Sequence, residues 1–161
     1  MSEAGLFLSE PDALLDAWRD AYKPPVGTRL TFYTTLHGSA FEEAARRTLR
    51  SEGEAGQIAF SSFSASHWLA PYGRTGTQTF YADAAGLERL QSGLNLSTVS
   101  KGENVVVTVL KDSGLLRDTE EPAPGAICTS PVQTYLDLAN SGERGREAAD
   151  HLRRERLTWP T

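Results

Sequence analysis

The feature that most limits how this chain can fold is the tetrapeptide Ser130-Pro131-Val132-Gln133, where three helix-start signals coincide. A hydroxyl stands at the N-cap, proline at the first helical position needs no backbone donor, and glutamine at N3 can reach back to the cap. Val132, Tyr135, Leu136 and Ala139 then recur at helical spacing and form one apolar stripe. Asn140-Ser141-Gly142 supplies residues that tolerate the left-handed conformation ending a helix. A second helix over about 144–157 buries Ala148, Ala149 and Leu152, with Asp150–Arg154 and Glu147–His151 as i,i+4 neighbours on its surface. Residues 128–157 are therefore read as a helical hairpin, and the small alanines let its helices approach closely.

Such a hairpin needs an apolar platform, which the preceding residues 9–127 provide. Ser9 is the N-cap candidate of a first helix, with Pro11 in its first turn and Asp12 where a capping acid would sit. Its stripe is Leu14, Leu15, Trp18, Ala21 and Tyr22, and Pro24-Pro25 stops it. Arg29 to Leu36 has strand composition, and Ser39-Ala40-Phe41-Glu42 reads as a capping box opening a helix buried through Phe41, Ala44, Ala45 and Leu49. Gln57 to Phe63 and the segment TQTFYAD read as strands separated by a short helix or turn packed through Trp68, Leu69 and Tyr72. Asp83 caps a helix to about Gln91. LNLSTV and NVVVTVL, joined by Ser100-Lys101-Gly102-Glu103, are expected to pair as a β-hairpin. Gly114 to Gly125, rich in acids and proline, is expected to be an exposed, mobile loop. The pattern predicts one α+β domain over 1–161: a mixed central sheet of about five strands, flanking helices and the C-terminal hairpin.

A chain of 161 residues is long enough to bury roughly two-thirds of its unfolded surface without staples. Its single cysteine, Cys128, forbids an intramolecular disulfide or a Cys-based zinc site. The N-terminus lacks a basic, then apolar, leader, and no stretch reaches the ~20 apolar residues of a membrane span, so a cytoplasmic protein is expected. Net charge is −5 with the basic residues dispersed, unlike the clustered basic face of a backbone-gripping DNA binder. His37, His67 and His151 have no metal-ligand spacing, and no phosphate-binding glycine motif occurs, so neither metal nor cofactor is expected. The serines at 61, 62, 64 and 66 lie in no Gly-x-Ser-x-Gly elbow, and Cys128 has no nearby activating histidine.

The stretch TSPVQTYLDLANSGERGREAADHLRRE is similar to the C-terminal signature of the AbiEi-type antitoxins of bacterial type IV toxin-antitoxin systems. In these a Ser-Pro-φ-Gln-x-Tyr-φ-Asp-Leu helix, φ being apolar, precedes a Gly-x-Arg-Gly-x-x-Ala-Ala helix. Ser130, Pro131, Gln133, Tyr135, Asp137, Leu138, Gly142, Arg144, Gly145, Ala148 and Ala149 fit. PDALLDAWRDAY, SASHWLAPY and GENVVVTVL resemble upstream family segments more loosely. The resemblance implies a non-catalytic antitoxin or regulator domain whose partner is a nucleotidyltransferase-like toxin, with self-association as a further partner. It also implies a promoter-binding winged helix-turn-helix ahead of this domain; that module is expected to be missing here, in an excised domain or a naturally short protein. Gln133, Tyr135, Asp137, Arg144 and Arg146, placed by the motif around the hairpin turn, are the partner-binding candidates.

Two other readings stand beside this one. A nuclease-like or nucleic-acid-processing enzyme would hold Mg2+ on strand-end acids, for which Asp83, Glu103 and Asp112 are the candidates. A dimerisation module without antitoxin activity would need no site at all.

Overall fold

The computed structural model describes residues 10–51, 53–73 and 76–158. Helix α1 (Pro11–Asp20) leads into strand β1 (Gly27–Tyr33), followed by α2 (Gly38–Leu49), β2 (Ile58–Phe60), α3 (Ser62–Leu69), β3 (Gln78–Ala82) and α4 (Ala84–Gly93). Then come β4 (Ser97–Thr98), β5 (Val105–Leu110), a 3-10 turn (Ser113–Arg117), β6 (Thr119–Glu120) and β7 (Cys128–Thr129). Helices α5 (Pro131–Ala139) and α6 (Gly142–Arg156) form the predicted hairpin. The strands join one seven-stranded mixed sheet in the order β4-β1-β5-β3-β2-β7-β6. The α+β architecture is as expected, but the sheet has seven strands where about five were predicted. The additions, β6 and β7, are two-residue strands, too short to show any alternation.

Strand alternation divides the sheet into two unlike faces. Leu30, Phe32, Phe80, Ala82, Val105 and Val107 point into the main core, where they meet Phe41, Ala45 and Leu49 of α2 and Leu90 of α4. Phe60, Phe80 and Phe41 make a chain of tilted aromatic contacts at centroid separations of 5.0 and 6.4 Å. On the opposite face, buried Tyr81 and Val106, half-buried Thr79 and Thr108 and exposed Arg29 line a cleft.

The expected β4–β5 hairpin does not form, because both strands pair with β1, which lies between them. Val105 and Val107 are completely buried, and such a strand needs neighbours on both sides. It finds β1 antiparallel and β3 parallel, leaving the exposed pair Ser97–Thr98 to an edge. The strand expected over 57–63 stops at Phe60, since Ser62 takes a left-handed backbone (φ +51°) and turns the chain into α3. Helix α2 starts at Gly38 (φ +56°) with His37 at its N-cap, so Ser39 lies inside the helix and its capping box is not made. Ser9 lies outside the described residues; α1 begins beyond Glu10 without a side-chain cap. Of its predicted stripe only Leu15 is fully buried, and Trp18 is 48% exposed.

Residues 114–125 are structured rather than a free loop. Leu116 is buried with Ala59, Tyr81 and Leu110, and β6 pairs with β7. Gly125 (φ +80°) donates its N–H to Glu121 and packs where a Cβ would stand 2.4 Å from the Arg46 carbonyl oxygen, while Arg46 bonds the Pro124 carbonyl. A leucine pair inside a polar composition is the reason the segment folds inward.

At the hairpin, the Ser130 hydroxyl accepts from the Gln133 N–H at 3.1 Å, as predicted. Ala148, Ala149 and Leu152 are buried. A Cβ on Gly145 would stand 2.3 Å from the Leu138 carbonyl oxygen, so the helices cross here at backbone contact. The pairs Asp150–Arg154 and Glu147–His151 do not close; His151 stacks on Tyr72 at 5.1 Å. Among the described residues no helix is long and apolar enough to cross a membrane.

Candidate functional site

Asp137 sits in the last turn of α5, where the helix dipole disfavours an acid. It is 8% exposed and points into the cleft between the hairpin and the open face of the sheet. Its Oδ1 accepts from the Tyr22 hydroxyl and from Gln133 Nε2 at 3.2 Å, and its Oδ2 accepts from the Tyr81 hydroxyl at 3.0 Å. Gln133 Nε2 also donates to the Tyr22 oxygen at 2.9 Å. The glutamine predicted to reach back to the helix cap is thus committed to this cluster, because a buried carboxylate is a stronger acceptor than an exposed backbone end.

Burial pushes the Asp137 carboxyl up to about 6 against the lowering effect of its three hydrogen bonds. Burial, reinforced by the Asp137 charge, raises both the Tyr22 and Tyr81 phenols, which remain protonated donors. The cleft has a volume of about 600 Å3. Ser61 and Ser62 form one wall, Asn140, Ser141 and Arg144 the rim on the hairpin side, and Arg29 and Glu103 also line it.

The other signature residues go to different places. Tyr135 is 1% exposed, with its ring beneath the Arg153 guanidinium at 5.5 Å and its hydroxyl accepting from Arg153 at 3.0 Å and Arg19 at 3.2 Å. Arg153 also pairs with Asp16 and Asp12 at 2.6 and 2.9 Å, so this cluster ties α1 to the hairpin. Arg144 lines the cleft, whereas Arg146 is exposed on α6 and does not. Asp137 and Arg144 thus share one cleft, Gln133 is joined to it through its bond to Asp137, and Tyr135 and Arg146 lie outside it. Tyr22 and Tyr81 were missed as site residues because one read as helix stripe and the other as strand. The available signal was that a buried tyrosine hydroxyl must find a partner.

The acids proposed for Mg2+ do not converge. Asp83 caps α4, accepting from the Gly86 and Gln57 N–H groups at 2.7 and 3.0 Å, and Asp112 accepts from the Gly114 N–H at 2.9 Å. Glu103 precedes β5, while Asp83 and Asp112 follow the C-terminal ends of the parallel neighbours β3 and β5, the length of a strand away. Among the described residues no group of three His, Cys, Asp or Glu could hold a metal ion. Cys128 is buried and its thiol is pushed up to about 12, so it is no nucleophile at neutral pH.

Comparison with known families supplies what the geometry cannot. A family described as transcriptional regulator, AbiEi antitoxin, type IV TA system matches residues 7–158. The chain belongs to this family. The match spans all the described elements from α1 to α6, so the α+β core and the hairpin are both family structure. Comparisons with curated proteins and with solved structures give no match. Membership makes this a domain of antitoxins that are also transcriptional regulators.

Proposed function

We propose that this domain acts as an antitoxin by direct protein contact, without chemistry of its own, and that its partner is a nucleotidyltransferase-like toxin. The observation that carries the reading is the family match along the whole folded domain. The hairpin turn supports it as the contact face: Asn140 to Arg144 and Arg146 are exposed, with Asp137 behind them in the cleft, held there by Gln133. Tyr135 contributes by holding α5 against α1 and α6 from within. Coupling to a promoter belongs to a separate DNA-binding module, consistent with a domain of net charge −5.

The test is co-expression with the product of the neighbouring gene, followed by affinity purification and a growth-rescue assay. Co-purification and restored growth are expected, with both weakened by R144E/R146E. A chain that neither recovers the toxin nor restores growth removes the antitoxin reading.

A further inference from the structure

The Asp137 carboxylate has an unusual set of partners for a buried acid. All three donors are neutral, two phenols and a carboxamide, and among the described residues no cation is bonded to it. A carboxylate offers about four acceptor positions, two on each oxygen. Oδ1 uses both of its positions; Oδ2 uses one, on Tyr81, and keeps the other. Buried acids normally meet a cation or a metal, because an uncompensated charge in a low dielectric is costly.

The surroundings have the properties of a ligand site. The cleft, at about 600 Å3, falls in the range of small-molecule pockets. Phenol and phenyl rings of Tyr22, Tyr81 and Phe63 line it, and aromatic faces next to a carboxylate favour a positive group. Ser62, on its wall, holds a left-handed backbone at the β2–α3 junction, and such conformations in non-glycine residues cluster at binding and catalytic sites. Arg29, Glu103 and Arg144 line the same cleft.

We infer that the cleft binds an ammonium or guanidinium group, which donates to Asp137 Oδ2 and completes its coordination between the rings of Tyr22 and Tyr81. The group belongs either to a free small molecule or to a basic side chain of the toxin; the chemistry at Asp137 is the same. This site goes beyond the antitoxin reading and survives its failure, since it is read on the domain alone.

Isothermal titration of the whole chain at pH 7.5 with agmatine and n-butylamine, and with n-butanol as the neutral control, tests it. Saturable binding of the two cations and none of the alcohol is expected. D137N should weaken the cations at least tenfold. T108Y, at the cross-strand neighbour of Tyr81, sets a ring into the cleft while leaving the three donors to Asp137 in place and should weaken binding, with circular dichroism confirming that both variants fold. Absence of saturable cation binding to the wild type overturns the site, as does undiminished binding by a folded T108Y. Displacement of agmatine by the toxin would assign the cation to a protein side chain, and retention in the complex to a small molecule; each supports the site.

Discussion

Two polar clusters lie two residues apart on α5, one tying α1 and the other the residue Tyr22 just beyond it to the hairpin, yet they are built on opposite principles. Around Tyr135, one arginine from α6 and one from α1 meet Asp12, Asp16 and Asp20 at the surface, so each acid faces a cation. Around Asp137, a single charge is enclosed by neutral donors. The first is a mechanical tie: Arg153 is 20% exposed and its acidic partners 44% and 72%, so solvent and salt screen most of the attraction. The second retains an unbalanced charge in a cleft, an arrangement that stability alone does not favour. The contrast teaches that two positions of one motif can do unlike jobs, Tyr135 holding the scaffold and Asp137 facing the cleft.

The largest expected effect is at the helix crossing that carries the Tyr135 cluster. G145V places side-chain atoms against the Leu138 carbonyl, forcing α5 and α6 apart, and should cost more than about 3 kcal/mol in urea unfolding. A loss below about 1 kcal/mol would show that the helices can slide and that the close crossing is not needed.

The next separates the clusters by pH. The folded pKa of Asp137, about 6, lies above the unfolded value, so its protonated form stabilises the fold fully below about pH 4. That contribution is lost as pH rises through about 6, amounting to at most roughly 3 kcal/mol. D137N cannot ionise, and its stability relative to wild type should therefore improve between pH 4 and 6.5. Parallel curves for the two proteins would mean that Asp137 titrates normally and is not enclosed.

Y81F removes the donor to Oδ2 and should cost about 1.5 kcal/mol at pH 7.5, with little change between 0.05 and 1 M NaCl. R153A should cost about 1 kcal/mol at low salt and distinctly less at 1 M NaCl. If the two losses respond equally to salt, the distinction between an enclosed and a screened cluster fails.

Much of the fold was legible because it is encoded locally. The α5 start at Ser130, the Asp83 cap of α4 and the buried faces of α2 and α6 each depend on neighbours within one or two turns. The candidate site was legible only in part. Asp137 stood out through the motif, but its partners Tyr22 and Tyr81 are 115 and 56 residues away in the chain, and no local pattern links them. The β4–β5 pairing was misjudged for the same reason: a good turn at Gly102 favours a hairpin locally, and the burial of Val105 and Val107 overrules it.

By itself, then, the amino-acid order determined where helices begin, which of their faces are apolar and which family signature the hairpin carries, because caps and periodicity act over a few residues. Only the tertiary structure decided that β1 inserts between β4 and β5, that Gln133 turns from its cap toward Asp137, and that one face of the sheet lines a cleft with the hairpin. Those outcomes follow from competition among distant groups for burial and hydrogen-bond partners, and that competition is resolved only when the whole domain has packed.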